Sequence, residues 1–280
     1  MSATSRLILV ADIGGTNARF ALARAAGGGI KVDRPSVLQT SDYPTLEKAL
    51  GVFLADKSAR VDMVSVCAAG PVTGEGANAH IHMTNCPWDV SVRVLTSATD
   101  VAHPVLMNDF AALARAVPEL KPDDLHAIGG GAGEPHAPIG ILGAGTGLGV
   151  AALVPDPAGG YIAVPGEGGH VDLAPGNARE MAVLARLMER HGHVSVERVL
   201  SGPGLVALYE TLCALDGAAA EVGMTGVGIT GLAEANASPL AREAVALFTG
   251  WLGAVAGNLA LTLGAEAKTR TKKIEIKSEG

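Results

Sequence analysis

Aromatic side chains are scarce in this sequence. Phe, Tyr and Trp make up 3% of 280 residues, although 48% are hydrophobic. The core must therefore be built from Ala, Val, Leu and Ile, and little is left for stacking nucleic-acid bases. Positive charge is also short, with 21 Lys and Arg against 28 Asp and Glu and a formal net charge of −7. That balance disfavours a phosphate backbone or an anionic membrane surface as partner. Cysteine is rare too. Cys67, Cys86 and Cys213 lie far apart with no C-x-x-C pair, so neither a disulfide framework nor a Cys-rich zinc site is expected. The first apolar run is short and ends at Asp12, unlike a signal peptide, and the chain reads as cytoplasmic.

One long uncharged run is present, "AVALFTGWLGAVAGNLALTLGA" at residues 244–265. It is long enough to span a bilayer, and Gly253-x-x-x-Gly257 resembles a membrane-helix packing motif. Four glycines, Thr249, Asn258 and Thr262 dilute it. The favoured reading is a buried helix packed closely through Gly250, Gly253 and Gly257, with no membrane as partner.

The remaining pattern alternates strands and helices. Residues 7–11 and 18–23 read as strands around a Gly-rich turn. Residues 44–59 read as a helix opened by Pro44, with Leu46, Leu50, Phe53 and Leu54 as its apolar stripe. Residues 61–69 read as a strand stopped by Gly70-Pro71. "PVLMNDF" is a short buried strand with a polar end, and the helix after it is cut by Pro118. Residues 138–155 repeat the strand, Gly turn, strand pattern. Helices follow at 178–191 and 203–215, and Ser238-Pro239 opens a long helix that Gly264 can close. Residues 217–231 give no clear signal. The expected class is α/β with two domains of one fold type, 1–110 and 111–264, each presenting a Gly turn to a shared cleft.

The opening stretch "LILVADIGGTNARFALA" carries a carboxylate at the end of a buried strand, which a plain hairpin does not need. Gly14-Gly15-Thr16 and Gly145-Thr146-Gly147 can each offer consecutive backbone N–H groups as an anion nest. A carboxylate beside phosphate repels it unless Mg²⁺ lies between them, so Asp12 reads as a residue holding Mg²⁺ through water. No G-x-x-x-x-G-K-[ST] occurs, and "GAGTGLG" lacks the G-x-G-x-x-G spacing. Asn108-Asp109 reads either as an Asx turn starting a helix or as a site where Asp109 takes a proton from a substrate hydroxyl. "VPGEGGHVDLAP" places Glu167 and His170 among glycines, and "ERVLSGPG" adds Glu197. With Asn108 and Asp109 these make a polyol-binding set.

"DIGGTN", "NDF", "GAGTGLG", "PGEGGHVD" and "ERVLSGPGL", in this order, resemble the bacterial glucokinase family of the hexokinase/actin-like ATPase superfamily. The resemblance runs from about residue 7 to Gly264. It implies two ribonuclease-H-like domains and ATP-dependent phosphorylation of glucose, the first step of glycolysis. It implies Asp109 as catalytic base and Asn108, Asp109, Glu167, His170 and Glu197 as ligands of glucose or a closely related hexose. It further implies Ala11, Asp12, Ile13, Gly14, Gly15, Thr16 and Asn17 as the first phosphate loop, and Gly145, Thr146 and Gly147 as the second. ATP and Mg²⁺ are the expected cofactors, and a homodimer the expected assembly.

After Gly264 the sequence departs from the family. Where the family continues with a buried strand and a Gly-Gly loop that seats adenosine, residues 265–280 carry five basic and three acidic side chains. This tail reads as atypical, and weak nucleotide binding is expected from it. Two other readings stay open: a non-catalytic sugar-binding regulator on the same fold, and an acyl-phosphate kinase. The carboxylates of Glu167 and Glu197 would repel the acid substrate of the latter.

Overall fold

The computed structural model describes residues 6–26, 29–57, 59–83, 86–128 and 134–264. The expectations for the tail at 265–280 lie outside them. The chain divides into two compact units between Leu113 and Ala114.

The first unit is built on a six-stranded mixed sheet. Its strands are β1 (Leu7–Ile13), β2 (Asn17–Ala26), β3 (Gly29–Val32), β4 (Ser36–Gln39), β5 (Met63–Ala68) and, after a small sheet, β9 (Val105–Asn108). The order is β3-β2-β1-β5-β9, with β4 also paired to β2. β1, β5 and β9 run parallel, and β2 is antiparallel to β1. The small sheet joins β6 (Val72–Thr73), β7 (His80–Ile81) and β8 (Val90–Ser91). Helices α1 (Leu46–Lys57) and α2 (Val92–Thr99) complete the layer. Alternation along β1 buries Leu9, Ala11 and Ile13 in a core shared with Leu46, Leu50 and Phe53 of α1. Asp12 is therefore directed to the opposite face.

The second unit begins within α3 (Asp109–Ala116), which gives way to a 3-10 turn at Val117–Glu119. Proline has no N–H to continue the ladder, so Pro118 ends the helix as expected. An antiparallel sheet follows, β10 (Ile139–Ala144), β11 (Leu148–Pro155) and β12 (Tyr161–Gly166). Four helices complete the unit: α4 (Ala178–His191), α5 (Gly202–Leu215), α6 (Gly226–Glu234) and α7 (Pro239–Leu263). Ser238 caps α7 by accepting the Ala241 N–H, and Gly264 closes it at φ 64°. The strands β3, β4 and β12, the small sheet, and helices α2 and α6 were not legible beforehand.

The long apolar run differs from expectation in two respects: little of the helix is buried, and its glycines are not where it packs. α7 buries Ala241, Ala244 and Trp251, and Trp251 Nε1 donates to the Ala174 carbonyl at 3.0 Å. A side-chain carbon at Gly250, Gly253 or Gly257 would meet nothing within 4 Å. At 100° per residue these glycines fall opposite the buried stripe. The glycine that admits α7 closely is Gly140 of β10, where an added Cβ would meet the Leu259 side chain at 2.8 Å. By length and composition α7 is long and apolar enough to cross a membrane, though little of it is buried.

Candidate active site

In the first unit the carboxyl ends of three parallel strands lie level. Ile13 of β1 is opposite Ala68 of β5, which is opposite Asn108 of β9. Ligands of open α/β sheets bind at such ends. One step back, Arg19, Asp12, Cys67 and Met107 form a row across β2, β1, β5 and β9. Arg19 pairs with Asp12 Oδ2 at 3.0 Å, and the Cys67 thiol faces Asp12 Oδ1 at 3.8 Å. Burial, then the charges of Asp12 and Asp109, pushes the Cys67 thiol up to about 12. It therefore stays protonated at neutral pH and can donate to Asp12.

Asn108 takes the first of the two roles read for the pair, the start of a helix. Asn108 Oδ1 accepts the Ala111 N–H at 3.0 Å, which caps α3. Asn108 Nδ2 donates to the Gly70 carbonyl at 3.0 Å and to Asp109 Oδ1 at 3.1 Å. Asp109 Oδ1 also accepts the Phe110 N–H at 2.8 Å. Both Asn108 amide protons are thereby used, while Oδ1 keeps a lone pair for a further donor. Asp109 Oδ2 has no hydrogen bond among the described residues. Burial, opposed by the Phe110 N–H and reinforced by Asp12, raises the Asp109 carboxyl above its ordinary range.

The first glycine turn is closed by the Gly14 N–H on the Asn17 carbonyl at 2.9 Å. The Thr40 hydroxyl straps it from outside, donating to the carbonyls of Gly15 at 2.8 Å and Thr16 at 3.1 Å. Among the described residues the N–H groups of Gly15 and Thr16 donate to nothing else, as an anion nest requires. Ala11 and Ile13 have buried side chains, so they support the loop as strand residues. Thr40 and Arg19 were missed from the sequence. Arg19 could have been found, because a hairpin turning at residues 14–16 places it opposite Asp12. Thr40 gave no signal, since its contact depends on β4.

In the second unit the turn Gly145–Gly147 closes by the Gly145 N–H on the Gly147 carbonyl at 2.8 Å. The N–H groups of Thr146 and Gly147 have no partner among the described residues. Leu148, the next residue, gathers the rest of the predicted set. Its N–H donates to Glu197 Oε2 at 2.8 Å. Its carbonyl lies where a Cβ on Gly169 would stand, and a Cβ on Gly168 would meet the Val150 side chain at 2.9 Å. These glycines let the 3-10 turn Gly168–His170 press onto β11. Glu167 precedes that turn and His170 ends it, with Oε2 and Nε2 3.9 Å apart and both side chains largely exposed.

The fold is the actin-like ATPase fold found in sugar kinases. A ROK-family glucokinase from Streptomyces griseus, crystallised with glucose and AMPPNP, shares that fold at TM-score 0.56 and 22% identity, over 92% of this chain and 80% of its own. The glucokinase family model matches residues 9–267, and the chain belongs to that family. A glucokinase from Chromobacterium violaceum is 45% identical over 258 residues, covering 92% of this chain and 72% of the relative. A crystal structure of glucokinase from an Antarctic psychrotroph superposes with TM-score 0.80 at 33% identity, over 93% of this chain and 80% of that one.

Proposed function

We propose that this chain transfers a phosphoryl group from ATP to the 6-hydroxyl of glucose, with Asp109 as the general base. The observation that carries this reading is the Asp109 carboxylate. One oxygen is held by the Phe110 N–H and the Asn108 amide, and the other has no partner among the described residues. A base within reach of a hydroxyl needs that second oxygen, and a raised pKa suits proton acceptance near neutrality. Phosphoryl transfer otherwise needs positioning and charge neutralisation. The backbone nests at Gly14–Thr16 and Gly145–Gly147 are assigned to phosphate, with Ala11, Asp12, Ile13 and Asn17 completing the first loop. Asn108, Asp109, Glu167, His170 and Glu197 are assigned to the sugar hydroxyls.

Mg²⁺ is assigned to accompany the nucleotide, with Asp12 holding it through water. The residues fit that arrangement. The Asp12 side chain is 47% exposed, and each of its oxygens keeps a lone pair beyond its contact with Arg19 or Cys67. Among the described residues no group of three or more His, Cys, Asp or Glu converges, as suits an ion held mainly by water and phosphate. When bound, Mg²⁺ neutralises charge on the phosphate oxygens. Arg19 meanwhile holds Asp12 oriented through its contact with Oδ2. A role in the first step of glycolysis, a cytoplasmic location and a homodimer complete the reading.

The test is glucose-dependent ADP release, measured with glucose and with acetate as acceptor. Glucose 6-phosphate formation that collapses in Asp109→Asn supports the proposal. Glucose binding without ADP release would instead favour a sugar-binding regulator on the same fold.

A further inference from the structure

We infer that Glu197 is a positioning residue for the second phosphate turn, so that sugar occupancy and nucleotide affinity are coupled through this one side chain. The inference rests on the reading above, in which Gly145–Gly147 binds phosphate and Glu197 meets the sugar.

The segment that begins at Glu197 grips the turn at both ends. Glu197 Oε2 accepts the N–H of Leu148, the residue directly after the turn, at 2.8 Å. The Gly202 N–H donates to the Gly145 carbonyl at 2.8 Å. Gly147 is the point of closest approach, since a Cβ there would collide with Glu197 Oε2. A side chain at 147 would therefore push the Glu197 carboxylate away from the Leu148 N–H. The N–H groups of Thr146 and Gly147, left free for an anion, are oriented by the chain on either side of them.

Glu197 Oε1 has no hydrogen bond among the described residues. One carboxylate therefore has one oxygen on the turn and one available to a hydroxyl. Its negative charge stands next to the proposed phosphate nest, where it opposes an anion. A sugar hydroxyl donating to Oε1 draws part of that charge away and holds the side chain against Leu148. Both effects favour phosphate on the turn. By linkage, bound nucleotide must tighten the sugar by the same factor.

The experiment is calorimetric titration of glucose and of a non-hydrolysable ATP analogue, each alone and with the other saturating. The proteins are the full chain, Glu197→Gln, Glu197→Ala, Gly147→Ala and the double variant Gly147→Ala/Glu197→Ala. In the unsubstituted chain each ligand should tighten the other. Glu197→Gln keeps an oxygen for the Leu148 N–H, so analogue affinity without glucose should hold or improve while coupling falls. Glu197→Ala removes the strap, and analogue affinity without glucose should fall about tenfold, as loss of a charged hydrogen bond implies. Gly147→Ala should mimic that loss and weaken glucose as well. The double variant should be no worse than Glu197→Ala, because the space the Cβ needs has been vacated. If the unsubstituted chain binds neither ligand, the functional reading fails. If it binds both, but Glu197→Ala leaves analogue affinity without glucose within twofold, the inference is overturned and Glu197 is a sugar ligand alone. A melting temperature for each variant separates misfolding from loss of the strap, and the Gln variant decides the matter if the Ala variant does not fold.

Discussion

The turn Gly14–Thr16 is tied by a hydroxyl, and the turn Gly145–Gly147 by a carboxylate. Thr40 donates to two carbonyls of the first turn. Glu197 accepts an N–H at the edge of the second. Both straps leave inner N–H groups without a partner among the described residues, so both turns can face an anion. They differ in what else the strap can do. Thr40 is buried and neutral, so it fixes the first turn regardless of ligand. Glu197 is half-buried and charged, so whatever satisfies its second oxygen is felt by the second turn. The acidic groups of the first unit's site sit elsewhere, Asp12 near the end of β1 and Asp109 at the start of α3. A carboxylate there can serve chemistry without being part of the strap.

The largest effect should come from separating chemistry from scaffold at that first site. Asp109→Asn removes the proton acceptor and should lower turnover by roughly 10²–10⁴-fold, while glucose affinity by calorimetry changes little. The same substitution should raise the melting temperature at neutral pH. Burial raises the Asp109 carboxyl, so its contribution to stability is fully present below the unfolded-state pKa and is lost as pH rises through the folded one. Asn stays neutral throughout. The advantage of the variant should therefore shrink as pH falls below the ordinary carboxylate range. In the unsubstituted enzyme, the acid limb of kcat/KM should lie above that range.

Next in size is a steric test of the second turn. In Gly169→Ala the new Cβ meets the Leu148 carbonyl, and backbone cannot step aside as a side-chain tip can. A loss of roughly 1–3 kcal/mol is expected by urea unfolding, with glucose weakened more than nucleotide. Gly145→Ala, whose Cβ would meet nothing within 4 Å, is the matched control at the turn itself. Little change in Gly169→Ala would mean that the turn Gly168–His170 is not held against β11.

Thr40→Val tests the first strap. The Gly15 carbonyl loses its hydroxyl donor, whereas Thr16 keeps the Thr40 N–H at 2.9 Å. About 1 kcal/mol of stability should go. Nucleotide should weaken equally with and without glucose, since this strap has no link to the sugar. Unequal weakening would erase the contrast between the two turns.

The smallest effect, opposite in sign, is expected inside α5. The Thr211 hydroxyl is fully buried and has no hydrogen-bond partner among the described residues. Thr211→Val replaces it with a methyl of similar shape, so stability should hold or rise by up to about 1 kcal/mol. A clear loss in thermal unfolding would reveal a partner for the hydroxyl.

Local rules made several elements legible. The apolar stripe of α1, the Ser238 cap and Gly264 stop of α7, and the break at Pro118 each depend on residues a few positions apart. The two strand, Gly turn, strand units were legible for the same reason, because a hairpin pairs neighbours in sequence. Helix α6 was hidden by its glycines, which carry low helix propensity and gain their helix only by packing on α5 and α7. The glycines of α7 misled in the opposite way. Their spacing looked like a packing seam, but the helix turned Trp251 inward instead.

The sequence by itself determined the class of chemistry. A carboxylate ending a buried strand, two glycine turns, an Asn-Asp pair and a loop of Glu and His among glycines are residue types that phosphoryl transfer to a polyol calls for. They can be read in order along the chain, and their joint order carries the family. Only the tertiary structure decided which of these groups are engaged with one another. It set Arg19 and Cys67 on either side of Asp12, spent both Asn108 amide protons on Gly70 and Asp109, and brought Glu197 to the N–H of a residue 49 positions away. The physical reason is that hydrogen bonds form between atoms about 3 Å apart in space. Separation along the chain says nothing of such distances until strand register and helix packing have set them.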